Sequence, residues 1–214
     1  MSRTFVCSDP DEREAGISAA VSVIHRGGLV VIPTDTVYGI AADAFSPAAV
    51  DSLLAAKLRS RDMPVPVLVG SAHTLDGLAP DRSQAARDLV DAFWPGGLTL
   101  VLRHTSSLAW DLGEARGTVA LRMPLHPVAL DLLNRTGPLA VSSANISGSQ
   151  AAITAAEAES QLDGAVEVYL DGGPCAEPVP SSIVDLTGPV PRLVRTGAVG
   201  TEDLLAVVPD LLIP

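Results

Sequence analysis

Lysine is nearly absent from this chain of 214 residues: Lys57 stands alone among 14 cations, and all the others are arginines. Aromatic residues are scarce too, at 3%, so Val, Leu, Ala and Ile must fill the core that a 47% apolar composition allows. With few aromatics to stack bases and a net charge of −11, the chain has no means to build a broad basic face, which argues against strong direct nucleic-acid binding. The two cysteines, Cys7 and Cys175, have no metal-ligand spacing, and Met1-Ser2-Arg3-Thr4-Phe5 lacks the pattern of a secretory signal, so both read as free thiols. His25, His73, His104 and His126 stand far apart, so no histidine metal site is expected. No apolar run nears the roughly 20 residues of a membrane span. A cytoplasmic protein with one domain over 1–214 is the expectation. The phosphate loop G-x-x-x-x-G-K-[ST], G-x-G-x-x-G and the nucleophile elbow G-x-S-x-G are all missing. No histidine neighbours Ser142-Ser143, which leaves no case for a covalent serine mechanism.

Helix and strand patterns alternate along the chain. Pro10 to His25 reads as a helix with acids in its first turn, Ile17, Val21 and Ile24 on one face, and Gly27-Gly28 as its stop. Leu29 to Ile32 is a short buried strand ended by Pro33. Ser46-Pro47 caps a helix running to about Leu58, with Val50, Leu53 and Leu54 inward. Further strands are expected at 64–69, 98–102, 118–121, 139–142, 166–170, 182–186 and 192–195. Helices are expected at 81–93, 127–134, from the Thr154/Glu157 capping box to Leu162, and from Glu202. The alternation implies a layered α/β fold, and the late strands without intervening helices imply a mixed sheet. The Pro/Gly-rich stretch 171–180 is a lid candidate.

Hydroxyls and amides gather just beyond several of these strands: Thr34 and Thr36, Thr118, Ser142, Ser143 and Asn145, Ser181 and Ser182, with Arg122 and Arg195 following. Ligands of open α/β sheets bind beyond strand ends, and such groups hold phosphate and carboxylate oxygens. Taken singly, each has an ordinary structural reading: a turn hydrogen bond or a surface ion pair. Their joint occurrence points to an anion site. Lys57 and Arg59 pair a point charge with a planar fork, as an extended anion such as a nucleoside triphosphate requires, although Lys57 fits the exposed last turn of a helix equally well. If Lys57, Arg59, Arg61, Arg122 and Arg195 converge, nine cations remain against 25 acids, an acidic shell around one positive pocket.

Six segments in order carry a resemblance: Pro33-Thr34-Asp35-Thr36-Val37-Tyr38-Gly39, Lys57-x-Arg59, Trp94-Pro95-Gly96-Gly97-Leu98-Thr99, Val119-Ala120-Leu121-Arg122-Met123-Pro124, Ser143-Ala144-Asn145-Ile146-Ser147-Gly148 and Ser182-Ile183-Val184-Asp185-Leu186-Thr187-Gly188. From about Gly28 to Ala198 the chain resembles the YrdC-like threonylcarbamoyl-adenylate synthases, in their shorter form. The resemblance implies a twisted, open, mixed sheet flanked by helices, with a concave central pocket. It also implies a nucleotidyltransferase that turns L-threonine, bicarbonate and ATP into threonylcarbamoyl-adenylate and pyrophosphate. Mg²⁺ arrives with ATP, and the product goes to the machinery that threonylcarbamoylates tRNA adenosine. By the same resemblance, Thr36, Arg122 and Ser181 hold threonine. Lys57, Arg59, Met63, Thr118, Ser143, Asn145 and Arg195 hold ATP, with Lys57 and Arg59 catalytic and Lys57 on the α-phosphate. Asn145 is expected to fix the loop that presents Ser143. Two departures stand out: Ser60-Arg61 replaces a usual proline after Lys-x-Arg, and Met63 occupies a position often held by asparagine. Arg61 fits a phosphate contact or the surface, and Tyr38 fits the pocket wall or the core. Two rival readings are an RNA-binding module without synthase activity, and a carbamoyl-phosphate-dependent adenylate enzyme of the hydrogenase-maturation kind.

Overall fold

The computed structural model describes residues 2–162, 164–176 and 178–214. Strand β1 (Arg3–Val6) leads into α1 (Pro10–His25). Asp9 caps this helix by accepting the N–H groups of Asp11 and Glu12, each at 2.9 Å, and Pro10 occupies a position where no N–H is needed. Gly27, at φ +83°, turns the chain into β2 (Val30–Ile32), which is followed by β3 (Gly39–Asp43). Ser46 caps α2 (Pro47–Ala56), and β4 is only Val67–Leu68. A 3₁₀ turn (Ala72–Thr74) runs into α3 (Leu75–Leu78), then α4 (Gln84–Phe93), β5 (Leu98–Arg103) and β6 (Thr118–Arg122). The remaining elements are α5 (Pro127–Thr136), β7 (Leu139–Ser143), α6 (Ala155–Leu162), β8 (Val168–Asp171), β9 (Ser182–Asp185), β10 (Arg192–Arg195) and α7 (Thr201–Val207).

The ten strands of the described residues join one sheet in the order β1-β8-β2-β3-β7-β4-β6-β5-β9-β10. It is mixed as the sequence implies: β8 pairs in parallel with β1 and β2, β4 with β6 and β5 with β9, while the other neighbours are antiparallel. Strands β1 and β3 and the 72–78 helical turns were not expected, several element ends shift by one or two residues, and three differences have a clear local cause. The 64–69 strand shrinks because Pro64 and Pro66 offer no N–H to a ladder. The 81–93 helix starts at Gln84, where Ser83 accepts the Ala86 N–H at 3.2 Å. The Thr154 cap also slips by one residue: Thr154 accepts the Glu157 N–H, but the Glu157 carboxylate reaches the N–H of Ile153.

The sheet buries its two faces differently. One face carries Ile40, Val67, Leu98, Leu100, Leu121, Ala140 and Val184 into a core shared with α2, α4, α6 and α7. The other face packs Val30, Ile32, Ala41, Leu139, Val168 and Leu170 against Ile17, Ala20 and Ile24 of α1 and Val128, Leu132 and Leu133 of α5. This second cluster takes nothing from β5, β6, β9 or β10. Half of that face is therefore left without a helix over it, and the candidate site lies there.

Candidate active site

A cavity of about 430 Å³ occupies the uncovered half-face. Its floor is apolar: Val101 of β5, Ala120 of β6, Val141 of β7, Ile183 of β9 and Val194 of β10. The strand period of two makes this floor, since Thr99 and Val101, or Ala120 and Arg122, point to the same side. Polar groups stand at both ends. In the sheet register Arg122 lies opposite Leu68, and Leu68 opposite Leu139, whereas Ser143 lies four residues further along β7. At about 3.3 Å per residue the two backbone positions are offset by roughly 13 Å along the strand direction.

At the first end, Arg122 donates from Nε to the Gly96 carbonyl (2.9 Å), from Nη1 to the Thr36 hydroxyl (2.8 Å) and from Nη2 to Asp35 (2.6 Å). Thr34 Oγ1 donates to the Val37 carbonyl at 2.6 Å, so across the 3.0 Å contact between the two hydroxyls it is Thr36 that donates to Thr34. Ser181 completes this end, 2.8 Å from the Thr99 hydroxyl. At the second end, Arg59 donates to the Met63 carbonyl (3.1 Å), the Ser142 hydroxyl (3.1 Å) and the Pro64 carbonyl (3.0 Å). Ser143 faces the cavity beside it, and among the described residues nothing hydrogen-bonds its hydroxyl. Arg195 belongs to the first end, where it fixes itself on Ser181 through two bonds to the carbonyl (3.0 and 2.8 Å) and one to the hydroxyl (3.1 Å). Each guanidinium thus spends three of its five N–H donors on protein, leaving two for a ligand.

Charge makes the cavity ready for an anion. Burial lowers the pKa of Arg59, Arg122 and Arg195, and this is partly offset by Asp35 for Arg122 and by the charge of Asp62 for Arg59. Among the described residues no carboxylate pairs with Arg59, Arg195 or Lys57, while Arg122 has Asp35. Lys57 is pushed down to about 8 by burial and by its neighbour Arg59. Cations held out of water without counter-ions favour a bound anion that supplies them.

A family model described as Telomere recombination, covering Sua5, YciO and YrdC proteins, matches residues 22–197. The chain belongs to the Sua5/YciO/YrdC family. A protein of Mycobacterium tuberculosis (strain ATCC 25618 / H37Rv) is 57% identical over 208 residues, covering 97% of this chain and 96% of its own. The threonylcarbamoyl-AMP synthase of Pyrococcus abyssi (strain GE5 / Orsay) is 36% identical over 198 residues, 92% of this chain and 58% of that protein. Among solved structures, P. abyssi Sua5 complexed with L-threonine superposes with a TM-score of 0.92 at 34% identity, covering 100% of this chain and 62% of that one.

Of the residues singled out in the sequence, this Sua5-like fold brings Thr36, Arg59, Arg122, Ser143, Ser181 and Arg195 onto one cavity wall. The four others expected to hold substrate lie off it. Thr118 shares the face of β6 with Ala120, one step beyond the floor, and its hydroxyl donates to the Ala115 carbonyl at 2.7 Å. Met63 is 49% exposed and meets Arg59 only through its carbonyl. Asn145 is buried and donates to the carbonyls of Ile146 (2.8 Å) and Ser149 (2.9 Å), holding its own loop. Lys57 is neither exposed nor on the wall: at 2% exposure its ammonium binds the carbonyls of Ser143 and Asn145. Arg61 does not converge with the other cations, because it pairs with Asp51 and Asp111 on the surface. Tyr38 serves as both core and wall, fully buried, with its hydroxyl donating to the Gly173 carbonyl at 2.6 Å. That bond ties down the start of the 171–180 lid candidate, in which Glu177 lies outside the described residues.

Asp35, Thr99 and the apolar floor escaped the sequence reading. Asp35 accepts from both Arg122 and the Leu125 N–H (2.9 Å), so it joins two loops behind the site. Thr99 was legible as a lone hydroxyl in the otherwise aliphatic Leu98–Leu102 strand. No group of three or more His, Cys, Asp or Glu suited to a metal occurs among the described residues, and none among them forms a helix long and apolar enough to cross a membrane.

Proposed function

We propose that this protein makes L-threonylcarbamoyl-adenylate and pyrophosphate from L-threonine, bicarbonate and ATP, for N6-threonylcarbamoyl modification of tRNA adenosine. The observation that carries the reading is the two-ended cavity, with cationic, hydroxyl-bearing ends separated by an apolar floor. The relatives named for the same synthase support it. Arg122 takes the threonine carboxylate on its two free N–H groups, with the hydroxyls of Thr36 and Ser181 beside it. Arg59 and Ser143 take the triphosphate at the other end, Arg195 reaches toward it from its anchor on Ser181 beside Arg122, and Thr118 extends the nucleotide floor. Met63 and Asn145 serve through backbone and loop.

Threonine amine and bicarbonate condense to a carbamate with loss of water. A carbamate oxygen then attacks the α-phosphorus, and the bond to the β-phosphate oxygen breaks to release pyrophosphate. Carboxylate, carbamate and triphosphate repel one another in water. Fixed guanidinium groups lower that repulsion and hold the reactants in line, so positioning and electrostatics carry the step. The cavity wall offers hydroxyls but no carboxylate, which suits Mg²⁺ carried in by the triphosphate with its own waters. The whole of 1–214 acts as one domain in this reading. The adenylate passes to tRNA threonylcarbamoyl-transfer machinery in the cytoplasm.

The test is pyrophosphate release from Mg-ATP by the purified protein. Release is expected to require both threonine and bicarbonate. Release driven by carbamoyl phosphate, or unchanged without threonine, overturns the proposal.

A further inference from the structure

Lys57 is the C-cap of α2, and the next residue, Leu58, takes φ +51°, a left-handed conformation rare for a side chain of that shape. The chain reverses there. Leu58 points outward at 76% exposure, and Lys57 is driven inward. Its ammonium meets the Ser143 carbonyl, the Asn145 carbonyl (2.6 Å) and, more distantly, Asn145 Oδ1 (3.5 Å). All three N–H donors of a lysine are then engaged. The Lys57 carbonyl accepts the Ser147 N–H at 2.9 Å, so the same residue straps the turn a second time. Directly in front of the strapped turn, the Ser143 hydroxyl faces the cavity with no protein partner among the described residues.

We propose that Lys57 is a positioning residue: its ammonium, clamped on the oxygens of the Ser143–Asn145 turn, sets the orientation of the Ser143 hydroxyl toward a bound polyphosphate and does not itself touch that ligand. This deepens the functional reading and rests on the polyphosphate lying at the Arg59 end. The chemistry also accounts for the single lysine. Converging carbonyl oxygens at 2% exposure fit a compact ammonium, whereas a planar guanidinium needs more room and a flatter set of acceptors.

The test is a double-mutant cycle of Lys57→Met and Ser143→Ala, read as the dissociation constant for Mg-ATP by calorimetric titration and as KM and kcat for threonine-dependent pyrophosphate release. Each single change is expected to weaken Mg-ATP binding about tenfold or more, the scale of a hydrogen bond involving a charged group. The double variant is expected to be no worse than the weaker single within about threefold, because residues acting through one another are not additive. Lys57→Arg is expected not to rescue binding. Multiplying losses, or rescue by arginine, overturn the proposal. A structure of the wild-type protein with Mg-ATP gives an answer even if Lys57→Met fails to fold: Nζ must remain on the two carbonyls, and Nζ bonded to a phosphate oxygen overturns the inference. Wild-type protein that binds Mg-ATP but makes no adenylate sinks the functional reading alone, since the binding cycle still reports on Lys57. Wild-type protein that binds no Mg-ATP sinks both.

Discussion

Replacing Arg122 by Met removes one charge from a pair that is almost out of water, with side-chain exposures of 8% for Arg122 and 17% for Asp35. Asp35 then keeps only the Leu125 N–H, and the Gly96 carbonyl and Thr36 hydroxyl each lose a donor. Breaking a buried pair by removing one partner costs about 3–5 kcal/mol. In a protein of this length about 1 kcal/mol moves the unfolding midpoint by roughly 2–4 °C, so a fall of roughly 6–20 °C is expected. Adding Asp35→Asn removes the orphaned charge while keeping an acceptor for Leu125, and most of the lost stability should return. Threonine affinity should stay lost in both variants, because neither retains the guanidinium. Arg59→Met is the contrast. Arg59 is half-buried and has no carboxylate partner, so this change should leave the midpoint within a few degrees yet abolish most Mg-ATP binding. Scanning calorimetry of the variants, paired with threonine and Mg-ATP titrations, separates these outcomes. An Arg122→Met midpoint within about 2 °C of wild type, or a double variant no more stable than the single, refutes the reasoning about the pair.

The lone lysine makes a pH prediction with two opposite signs. Its pKa falls from 10.5 to about 8 in the folded protein, so Mg-ATP affinity should decline as pH rises through about 8 and the ammonium discharges, while the arginines stay charged. Folding stability should move the other way. Between about 8 and 10.5 the unfolded chain binds the extra proton, so stability rises with pH across that window, by at most on the order of 3 kcal/mol, relative to Lys57→Met. Affinity and denaturation series from pH 7 to 10 check both signs, and parallel curves for wild type and Lys57→Met contradict them. Gly39→Ala should destabilise by about 1–3 kcal/mol, since an added Cβ lands 2.6 Å from Val141 Cγ1 at the cavity floor. Chemical denaturation measures this, and a neutral change contradicts that close packing.

Legibility in the sequence followed how local each signal is. Asp9-Pro10, Ser46-Pro47 and the Pro127 start carry their helices because caps and prolines act within a few residues. Strand β3 did not announce itself, because Gly39-Ile40-Ala41-Ala42 has little intrinsic strand preference. Its small residues are demanded by neighbours on both sides, β2 just before it and β7 from a distant part of the chain. The hydroxyl and arginine positions at the cavity were visible as residue types at strand ends. The direction of Lys57 was not, since it depends on the backbone reversal at Leu58 and on a turn 86 residues away. Asp35 was hidden for the same reason: its partner Arg122 stands 87 residues further on.

Mass-spectrometric analysis of the protein incubated with threonine, bicarbonate and Mg-ATP tests the central claim most directly. The account predicts threonylcarbamoyl-adenylate in the wild-type mixture, with none when Arg59 is replaced by Met. A folded wild-type protein that binds both threonine and Mg-ATP yet yields no such adenylate contradicts it.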